Sequence, residues 1–268
     1  MKSTNLSVKT NSLKSLLFVP AKAQMLAKVA TISDCAFILD LEDSILPNYK
    51  AKALKLVSDF LPENTKKVYV RINADDYEVE LNELAMYETG FVLPKFENPE
   101  YYEKSLDILK EHDVIALVET PLGLVNIERI AKTHWVNAIA FGAEDYTAAV
   151  NMENKIDFLQ YQKSHLVTYA KAYSKFVYDT PSFKVDDVDE FKREVDNAVA
   201  LGFDGKMAIN PKQIAYINES FRQCDVAYIR SVLELFETSE QGVVVIDGKV
   251  YEKPHIERLK RILREHNN

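Results

Sequence analysis

Residues 35–61 read CAFILDLEDSILPNYKAKALKLVSDFL, an apolar run that ends in acids and is followed by a longer amphipathic segment. The run from Cys35 to Asp43 has the composition of a buried β-strand, and the segment from Pro47 to Leu61 has the 3.6-residue period of an α-helix. A proline at the beginning of such a segment is typical of a helix start. This stretch therefore predicts one strand followed by one helix.

The same strand–helix pattern is repeated along the chain. Strands are predicted at Leu13 to Pro20, Cys35 to Asp43, Lys67 to Asn73, Phe91 to Phe96, Val114 to Thr120, Val136 to Asp145, Lys175 to Pro181 and Gly205 to Asn210. Helices between them are predicted at Pro47 to Leu61, Asn98 to His112, Leu122 to Thr133, Ile156 to Ser174 and Val188 to Leu201. Apolar strands joined by helices indicate an α/β fold with a parallel sheet covered on both faces. Eight such units in about 210 residues predict a (β/α)₈ TIM barrel, with an open doubly wound sheet as the alternative.

The pattern changes after Phe221. Residues 13–222 are therefore predicted to form the barrel catalytic domain, and residues 223–268 to form a C-terminal extension. In the extension we predict a helix from Asp225 to Glu240, a hairpin from Gly242 to Tyr251 that turns at Asp247-Gly248, and a helix from Pro254 to His266. This helix-hairpin-helix extension is expected to act as a lid or as an oligomer contact.

Composition and charge exclude several classes of protein. The 268 residues carry 33 basic and 41 acidic side chains, a net charge of −8 that disfavours a general nucleic-acid surface. No apolar run approaches the roughly 18 residues needed to span a membrane. The polar N-terminus carries no signal-peptide core, and the two cysteines form no paired motif. We therefore expect a cytoplasmic protein without membrane or nucleic-acid partners.

Charged and polar side chains occur at the predicted carboxyl ends of seven consecutive strands, which is the end where TIM barrels carry their catalytic groups. In chain order they are Asp40, Glu42, Asp43, Arg71, Asn73, Lys95, Glu119, Thr120, Glu144, Asp145, Asp179, Lys206 and Asn210. The predicted amino ends of the strands carry no comparable set of acids. This asymmetry predicts that one rim of the barrel holds the active site.

Glu119 and Asp145 are assigned to adjacent strands, so both carboxylates can reach the barrel mouth and offer oxygen ligands to a divalent ion. Mg²⁺ is the predicted ion, with Mn²⁺ as the alternative. Arg71 offers a planar fork that suits a substrate carboxylate. A buried ion pair with a barrel acid such as Asp43 is the competing interpretation of this arginine. A metal beside an arginine is suited to the stabilisation of an enolate.

Eight short segments resemble those of the citrate lyase beta subunit-like proteins in the HpcH/HpaI aldolase group. They are LLFVP (16–20), ILDLEDS (38–44), VRIN (70–73), VLPKFE (92–97), VETPLGLVN (118–126), AFGAEDY (140–146), YDTP (178–181) and GFDGKMAINPKQI (202–214). The resemblance extends over nearly the whole chain, and the segments together are highly specific.

The resemblance implies a (β/α)₈ barrel that breaks or makes carbon–carbon bonds in CoA thioesters such as citramalyl-CoA, malyl-CoA or citryl-CoA. It also implies Mg²⁺ on Glu119 and Asp145, a substrate carboxylate held by Arg71, and a homotrimer or homohexamer. We accordingly predict a lyase that releases acetyl-CoA and a 2-oxo acid through an enolate. Asp43 is expected to join Arg71 in catalysis, and the expected substrate-binding residues are Phe18, Arg71, Glu119 and Asn210.

The chain departs from this family at three positions. The usual LFVPG reads LFVPA with Ala21, and the usual AIHP reads AINP with Asn210. The segment GKVYEKPH places Glu252 where the malyl-CoA lyase branch has an aspartate that handles the proton at the acetyl-CoA carbon, often from a neighbouring subunit. Glu252 is therefore predicted to be catalytic, although its side chain is one methylene longer.

Three other functions fit the same residues. The first is a CoA-independent class II aldolase that acts on a free hydroxy-oxo acid. The second is an enzyme that runs the thioester reaction of the same site towards synthesis. The third is a non-catalytic or partner-dependent subunit that binds CoA esters. Retention of Glu119, Asp145 and Arg71 favours the lyase over a binding subunit, because binding alone needs no metal site beside an arginine fork.

Overall fold

The computed structural model describes residues 14–222, 226–239, 242–246 and 248–267. The chain divides into two compact units, of which the first spans Lys14–Phe221 and the second contains the described residues from Arg222 onward. The role of the second unit as a lid or an oligomer contact stays a prediction. Asp225 and Glu240, the predicted ends of the first helix of the extension, and Asp247 of the predicted turn lie outside the described residues, as does Cys224, one of the two cysteines.

The first unit is a closed barrel of eight parallel strands, each hydrogen-bonded to the next. The strands are β1 (Ser15–Pro20), β2 (Ala36–Asp40), β3 (Val68–Arg71), β4 (Gly90–Leu93), β5 (Val114–Val118), β6 (Ala138–Phe141), β7 (Phe176–Asp179) and β8 (Gly205–Ala208). The pairing of Ser15 with Lys206 between β1 and β8 closes the barrel. The predicted (β/α)₈ fold is confirmed, and the open doubly wound sheet is excluded.

Helices surround the strands. The α-helices of the first unit are α1 (Ala23–Val29), α2 (Lys50–Phe60), α3 (Tyr77–Leu84), α4 (Leu106–Leu109), α5 (Pro121–Val125), α6 (Ile127–Lys132), α7 (Ala143–Ala149), α8 (Gln160–Ala172), α9 (Val188–Leu201) and α10 (Ile214–Arg222). Every residue of β2 and of β5 is buried, as expected for strands with the barrel interior on one face and helices on the other. One continuous apolar core joins the strands to the helices.

The sixth predicted strand, Val136 to Asp145, is wrong at its C-terminal end. The strand β6 stops at Phe141, and α7 begins immediately after Gly142. Glu144 and Asp145 occupy the first turn of this helix, where the positive end of the helix dipole favours acids. Asp145 therefore reaches the rim from a helix rather than from a strand end.

Several predicted helices are shorter or interrupted in the structure. The segment predicted as a helix from Asn98 to His112 is a 3₁₀ helix at Pro99–Ser105 followed by α4, and the side chain of Asn98 caps its start. The segment predicted from Leu122 to Thr133 is divided between α5 and α6.

The second unit contains a helix, a hairpin and a helix, as predicted. They are α11 (Val226–Thr238), β9 (Val243–Ile246), β10 (Lys249–Glu252) and α12 (Lys253–Asn267). The strands are antiparallel, and Val232, Tyr251 and Ile256 form a small separate core. Across the described residues of both units, no helix combines the length and the apolar character needed to cross a membrane.

A buried ion cluster supports the carboxyl ends of β7 and β8. Asp179 is fully buried, and its two oxygens lie 2.9 Å from Lys163 Nζ and 2.7 Å from Lys206 Nζ. Burial alone would raise the pKa of Asp179, but the two ammonium groups lower it below its ordinary value. Lys163 lies on α8, and nothing in the helical pattern of the sequence distinguished it from an ordinary surface lysine.

Replacement of Asp179 by asparagine removes the ion-pair partner that buried Lys163 has among the described residues, and it leaves buried Lys206 with Glu194 alone, 3.9 Å away. We expect Asp179→Asn to lower the free energy of unfolding by about 3–5 kcal/mol, which urea denaturation would measure. Asp59→Asn removes the same charge from an exposed pair with Lys55 and is the matched control, with an expected change within about 0.5 kcal/mol. A similar small change in both variants would contradict the structural role of the cluster.

Candidate active site

A cavity of about 680 Å³ opens at the carboxyl ends of the strands. Most of its polar lining residues are acids, and Arg71 is the one cationic side chain among the described residues that line it. The lining residues are Phe18, Pro20, Asp40, Asp43, Ser44, Arg71, Leu117, Glu119, Gly142, Ala143, Glu144, Asp145, Thr180, Pro181, Phe183, Met207 and Ile209. Several of the charged residues predicted at the carboxyl ends of the strands therefore line one cavity.

Arg71 is held on the cavity wall by acids of β2 and the loop after it. Its Nε and Nη2 donate to the two oxygens of Asp40 at 2.7 and 2.8 Å, and its Nη1 donates to Asp43 at 3.1 Å. Its guanidinium also lies over the ring of Phe18, 5.0 Å from the centroid. Burial alone would raise the pKa of Asp40, but Arg71 lowers it below its usual range. The two-pronged face of the arginine is thus occupied by Asp40.

Glu42 is the third acid at this arginine and the least well compensated. Its Oε1 accepts from Lys95 Nζ at 3.0 Å, whereas its buried Oε2 lies 3.2 Å from Arg71 Nη1 without making a hydrogen bond. Burial raises the pKa of Glu42 despite the charge of Arg71. The rim therefore holds more negative charge than its own cations neutralise.

Glu119 follows β5 and projects into the same acidic region. Its Oε1 accepts the backbone N–H of Lys95 at 2.8 Å, and Lys95 adopts a left-handed φ of 47° to present that N–H. Burial, with the negative charge of Glu42 as a second cause and that of Asp145 as a smaller one, raises the pKa of Glu119 to about 8. A lysine in this backbone region is strained, which indicates that the surrounding structure fixes the position of Glu119.

Gly142 allows the carboxylate of Glu119 to lie beside the start of α7. A Cβ at residue 142 would lie 2.5 Å from the Cβ of Glu119 and 2.6 Å from its Oε2. Any larger residue would displace this carboxylate. Two residues after Ala143, half-buried Asp145 lines the same cavity, so the structure brings the two predicted metal ligands to one wall.

A second layer of polar contacts fixes the loop that carries Glu42 and Asp43. Lys50 Nζ donates to the backbone oxygen of Leu41 at 2.7 Å, to that of Glu42 at 2.5 Å, and to the side chain of Asn73. Asn73 in turn donates its backbone N–H to buried Glu80 at 2.7 Å. The sequence pattern does not indicate that Glu80 supports the site, because Glu80 lies inside helix α3 rather than at the end of a strand.

The predicted site residues form two groups, those that line the cavity and those that do not. Phe18, Asp43, Arg71, Glu119 and Asp145 all line the cavity. Asn210 caps a 3₁₀ helix instead, and its side-chain oxygen accepts the N–H of Lys212 at 3.0 Å. Glu252 lies on β10 in the second unit, where its side chain is exposed. The functional roles of all these residues stay predictions.

The fold and the arrangement of this rim can now be compared with known proteins. The sequence pattern of the HpcH/HpaI aldolase/citrate lyase family matches residues 14–211. The chain belongs to this family. The matched residues span all eight strands of the barrel and include Arg71, Glu119 and Asp145. The resemblance predicted from the short segments is therefore confirmed.

Relatives within the HpcH/HpaI family cover almost the full chain. The citrate lyase subunit beta of Escherichia coli (strain K12) is 29% identical over 282 residues, which cover 95% of this chain and 93% of that protein. The mitochondrial citramalyl-CoA lyase of Rattus norvegicus is 26% identical over 289 residues, which cover 93% of this chain and 85% of that protein. These relatives confirm the prediction of a lyase.

A solved relative shares both the fold and the length of the chain. CitE from Mycobacterium tuberculosis, in complex with magnesium, acetoacetate and coenzyme A, superimposes with a TM-score of 0.81 and is 28% identical. The match covers 96% of this chain and 99% of that chain. The similarity therefore includes the barrel and the residues that follow it.

The cavity wall meets the requirements of a divalent cation. The described residues contain no group of three or more histidine, cysteine, aspartate and glutamate side chains arranged to hold a metal. Two carboxylates are nevertheless enough for Mg²⁺, which usually keeps several water or substrate oxygens. Burial raises the pKa of Glu119, with the negative charge of Glu42 as a second cause, and a bound cation would oppose both effects by favouring the ionised carboxylate.

The raised pKa of Glu119 makes a prediction for the protein without divalent ions. Because the folded pKa of about 8 exceeds the ordinary 4.5, stability is greatest below the ordinary pKa and is lost as pH rises through the folded pKa. We expect the free energy of unfolding in EDTA to fall more steeply between about pH 6 and about pH 9 in the wild type than in Glu119→Gln.

Urea denaturation at both pH values measures this difference. Glu128→Gln is the matched control, because exposed Glu128 has a pKa that Lys132 lowers and it stays ionised throughout this range. The control should retain the pH dependence of the wild type. Equal pH dependence in the wild type and in Glu119→Gln would show that Glu119 ionises normally.

Proposed function

We propose that the protein is a Mg²⁺-dependent carbon–carbon lyase that cleaves a short β-hydroxyacyl-CoA to acetyl-CoA and a 2-oxo acid. The observation that carries this proposal is the shared cavity of Glu119, Asp145 and Arg71 in a chain of this family. The complex of the M. tuberculosis relative with magnesium, acetoacetate and coenzyme A supports the choice of ion and of thioester. Citramalyl-CoA, malyl-CoA and citryl-CoA are the candidate substrates.

Glu119 and Asp145 would hold the ion in this proposal, with Mn²⁺ as a possible substitute. Bound there, the ion supplies a fixed positive charge that polarises the oxygen atoms of a hydroxy acid. Glu119 is suited to this role because the N–H of Lys95 holds one of its oxygens while the other lies beside Gly142. Its buried position also keeps water from competing with the substrate.

The remaining residues would move protons and stabilise negative charge. Asp43 accepts from Arg71 through Oδ2, and we assign it to receive the proton of the substrate hydroxyl. Cleavage of the carbon–carbon bond then leaves a carbonyl on the 2-oxo acid and an electron pair on the acetyl-CoA carbon. The positive charge of Arg71 stabilises the oxyanion, and Glu252 supplies a proton to that carbon.

Other parts of the proposal rest on the family resemblance. Phe18 would contact the substrate through the ring that supports Arg71, and Asn210 would shape the rim by capping the helix beside it. Action of Glu252 within its own subunit or on a neighbour, a homotrimer or homohexamer, and a cytoplasmic location also stay predictions.

Release of acetyl-CoA from citramalyl-CoA, malyl-CoA and citryl-CoA tests the proposed function directly. With Mg²⁺ we expect turnover of at least one of the three, and with EDTA we expect loss of that turnover. Re-addition of Mg²⁺ to the EDTA sample is the control for irreversible damage. Silence across the panel, with Mg²⁺ bound to the folded protein, would instead favour the CoA-independent aldolase or the partner-dependent subunit.

Asp145→Asn tests the metal assignment within the same assay. We expect the amide to weaken Mg²⁺ binding at least tenfold and to reduce turnover strongly, because the loss of one anionic ligand of two removes much of the attraction for the ion. Calorimetric titration with Mg²⁺ measures the affinity without substrate. Asp157→Asn, an equivalent change at an exposed acid, is the control. Unchanged Mg²⁺ affinity in Asp145→Asn would remove Asp145 from the site.

A further inference from the structure

Thr180 follows β7 directly and lines the cavity opposite the arginine wall. It is buried, and it is the one hydroxyl-bearing lining residue on that side, next to Pro181 and Ala143. Neither the metal site nor the proton steps proposed above use it. A buried hydroxyl on a cavity wall is a costly feature unless both its donor and its acceptor functions are used.

One function of the Thr180 hydroxyl is used within the protein. Its Oγ1 accepts the backbone N–H of Ala143 at 3.1 Å. A threonine hydroxyl has one proton to donate in addition to its acceptor lone pairs. Within the described part of the chain, no oxygen accepts that proton, so the contacts of the protein leave the donor available to the cavity.

The backbone around Thr180 is unusually well restrained. Lys206 Nζ donates to the carbonyl oxygen of Thr180 at 2.6 Å and to Asp179 at 2.7 Å. Both partners of this contact are buried. Lys206 binds the carbonyl oxygen of Thr180 and the N–H of Ala143 binds its Oγ1, so the hydroxyl has a fixed position. A side chain that is already fixed loses little entropy when it binds a ligand.

We infer that Thr180 is a substrate-binding residue whose hydroxyl donates a hydrogen bond to an anionic oxygen of the bound oxo or hydroxy acid. This inference rests on the proposed function. A neutral donor is well suited to a wall of carboxylates, because it attracts the substrate oxygen without pairing permanently with an acid, as Arg71 does with Asp40. Asp145 lines the same cavity as Thr180.

Thr180→Val and Thr180→Ser form a matched pair that tests this role. Valine has nearly the shape of threonine without the hydroxyl, whereas serine keeps the hydroxyl and loses only a methyl group. With saturating Mg²⁺, we expect Thr180→Val to weaken pyruvate binding about tenfold, as loss of a hydrogen bond to a charged group should. Thr180→Ser should bind pyruvate within about twofold of the wild type.

Calorimetric titration distinguishes a binding role of Thr180 from a purely structural one, because it measures the affinities for Mg²⁺ and for pyruvate separately. Mg²⁺ affinity without pyruvate should be unchanged in both variants, and thermal unfolding should show both to be folded. If valine prevents folding, Thr180→Ala replaces it, since the smaller side chain leaves space for a water at the N–H of Ala143.

The outcomes separate this inference from the proposed function. If the wild type binds pyruvate with Mg²⁺ and the hydroxyl-free variant binds it equally well, the role of Thr180 is overturned and the proposed function stands. Equal weakening of Mg²⁺ affinity and pyruvate affinity would also overturn it, by assigning Thr180 to the metal side. A wild type that binds Mg²⁺ but none of pyruvate, glyoxylate and oxaloacetate, the 2-oxo acids that the three candidate substrates release, would overturn both.

Discussion

The crowding of like charges at one rim is the constraint on which the site depends. Parallel strands closed into a barrel bring all their carboxyl ends together, so acids that are distant in sequence share one partly buried wall. Arg71 compensates Asp40 and part of the charge of Glu42 and Asp43. Glu119 accepts a backbone N–H, and burial, with the negative charge of Glu42 as a second cause, raises its pKa despite the opposing charge of Arg71. A site built in this way gains most from a proton or from a divalent ion.

The backbone, rather than packing of side chains, determines where Glu119 lies. Lys95 accepts a strained left-handed conformation to direct its N–H to one oxygen of Glu119, and Gly142 leaves the space that the other oxygen fills. Both conditions come from loops that follow neighbouring strands of the barrel. The pairing of the strands therefore fixes the loops, and the loops fix the carboxylate of Glu119. A change of one residue in either loop would alter the site without altering the fold.

The sequence supports prediction of the fold better than prediction of the contacts within the site. Alternating strand and helix patterns predicted the barrel and left an open doubly wound sheet as the alternative, because apolar runs and helix starts are local signals that both folds share. Assignment of Asp145 to a strand was wrong because AFGAEDY continues the apolar run up to a glycine and gives no sign of the turn into α7. The pairing of Arg71 with Asp40 depends on the register between β2 and β3, which periodicity does not specify. The ion pair of Lys163 with Asp179 could not be predicted either, because it depends on how α8 packs against the barrel.

The three departures from the family pattern differ in whether the structure gives them a role. Ala21 is buried and its backbone does not enter the left-handed region that would require glycine, so the added methyl group is accommodated without strain. Asn210 caps a helix start, a role to which an asparagine amide is better suited than an imidazole. Both substitutions therefore have a structural account within the barrel. Glu252 has none, because its exposed carboxylate forms no ion pair or side-chain hydrogen bond within the described part of the chain. Of the three, this added methylene is the change with a chemical consequence, since it alters the reach of the proposed proton carrier.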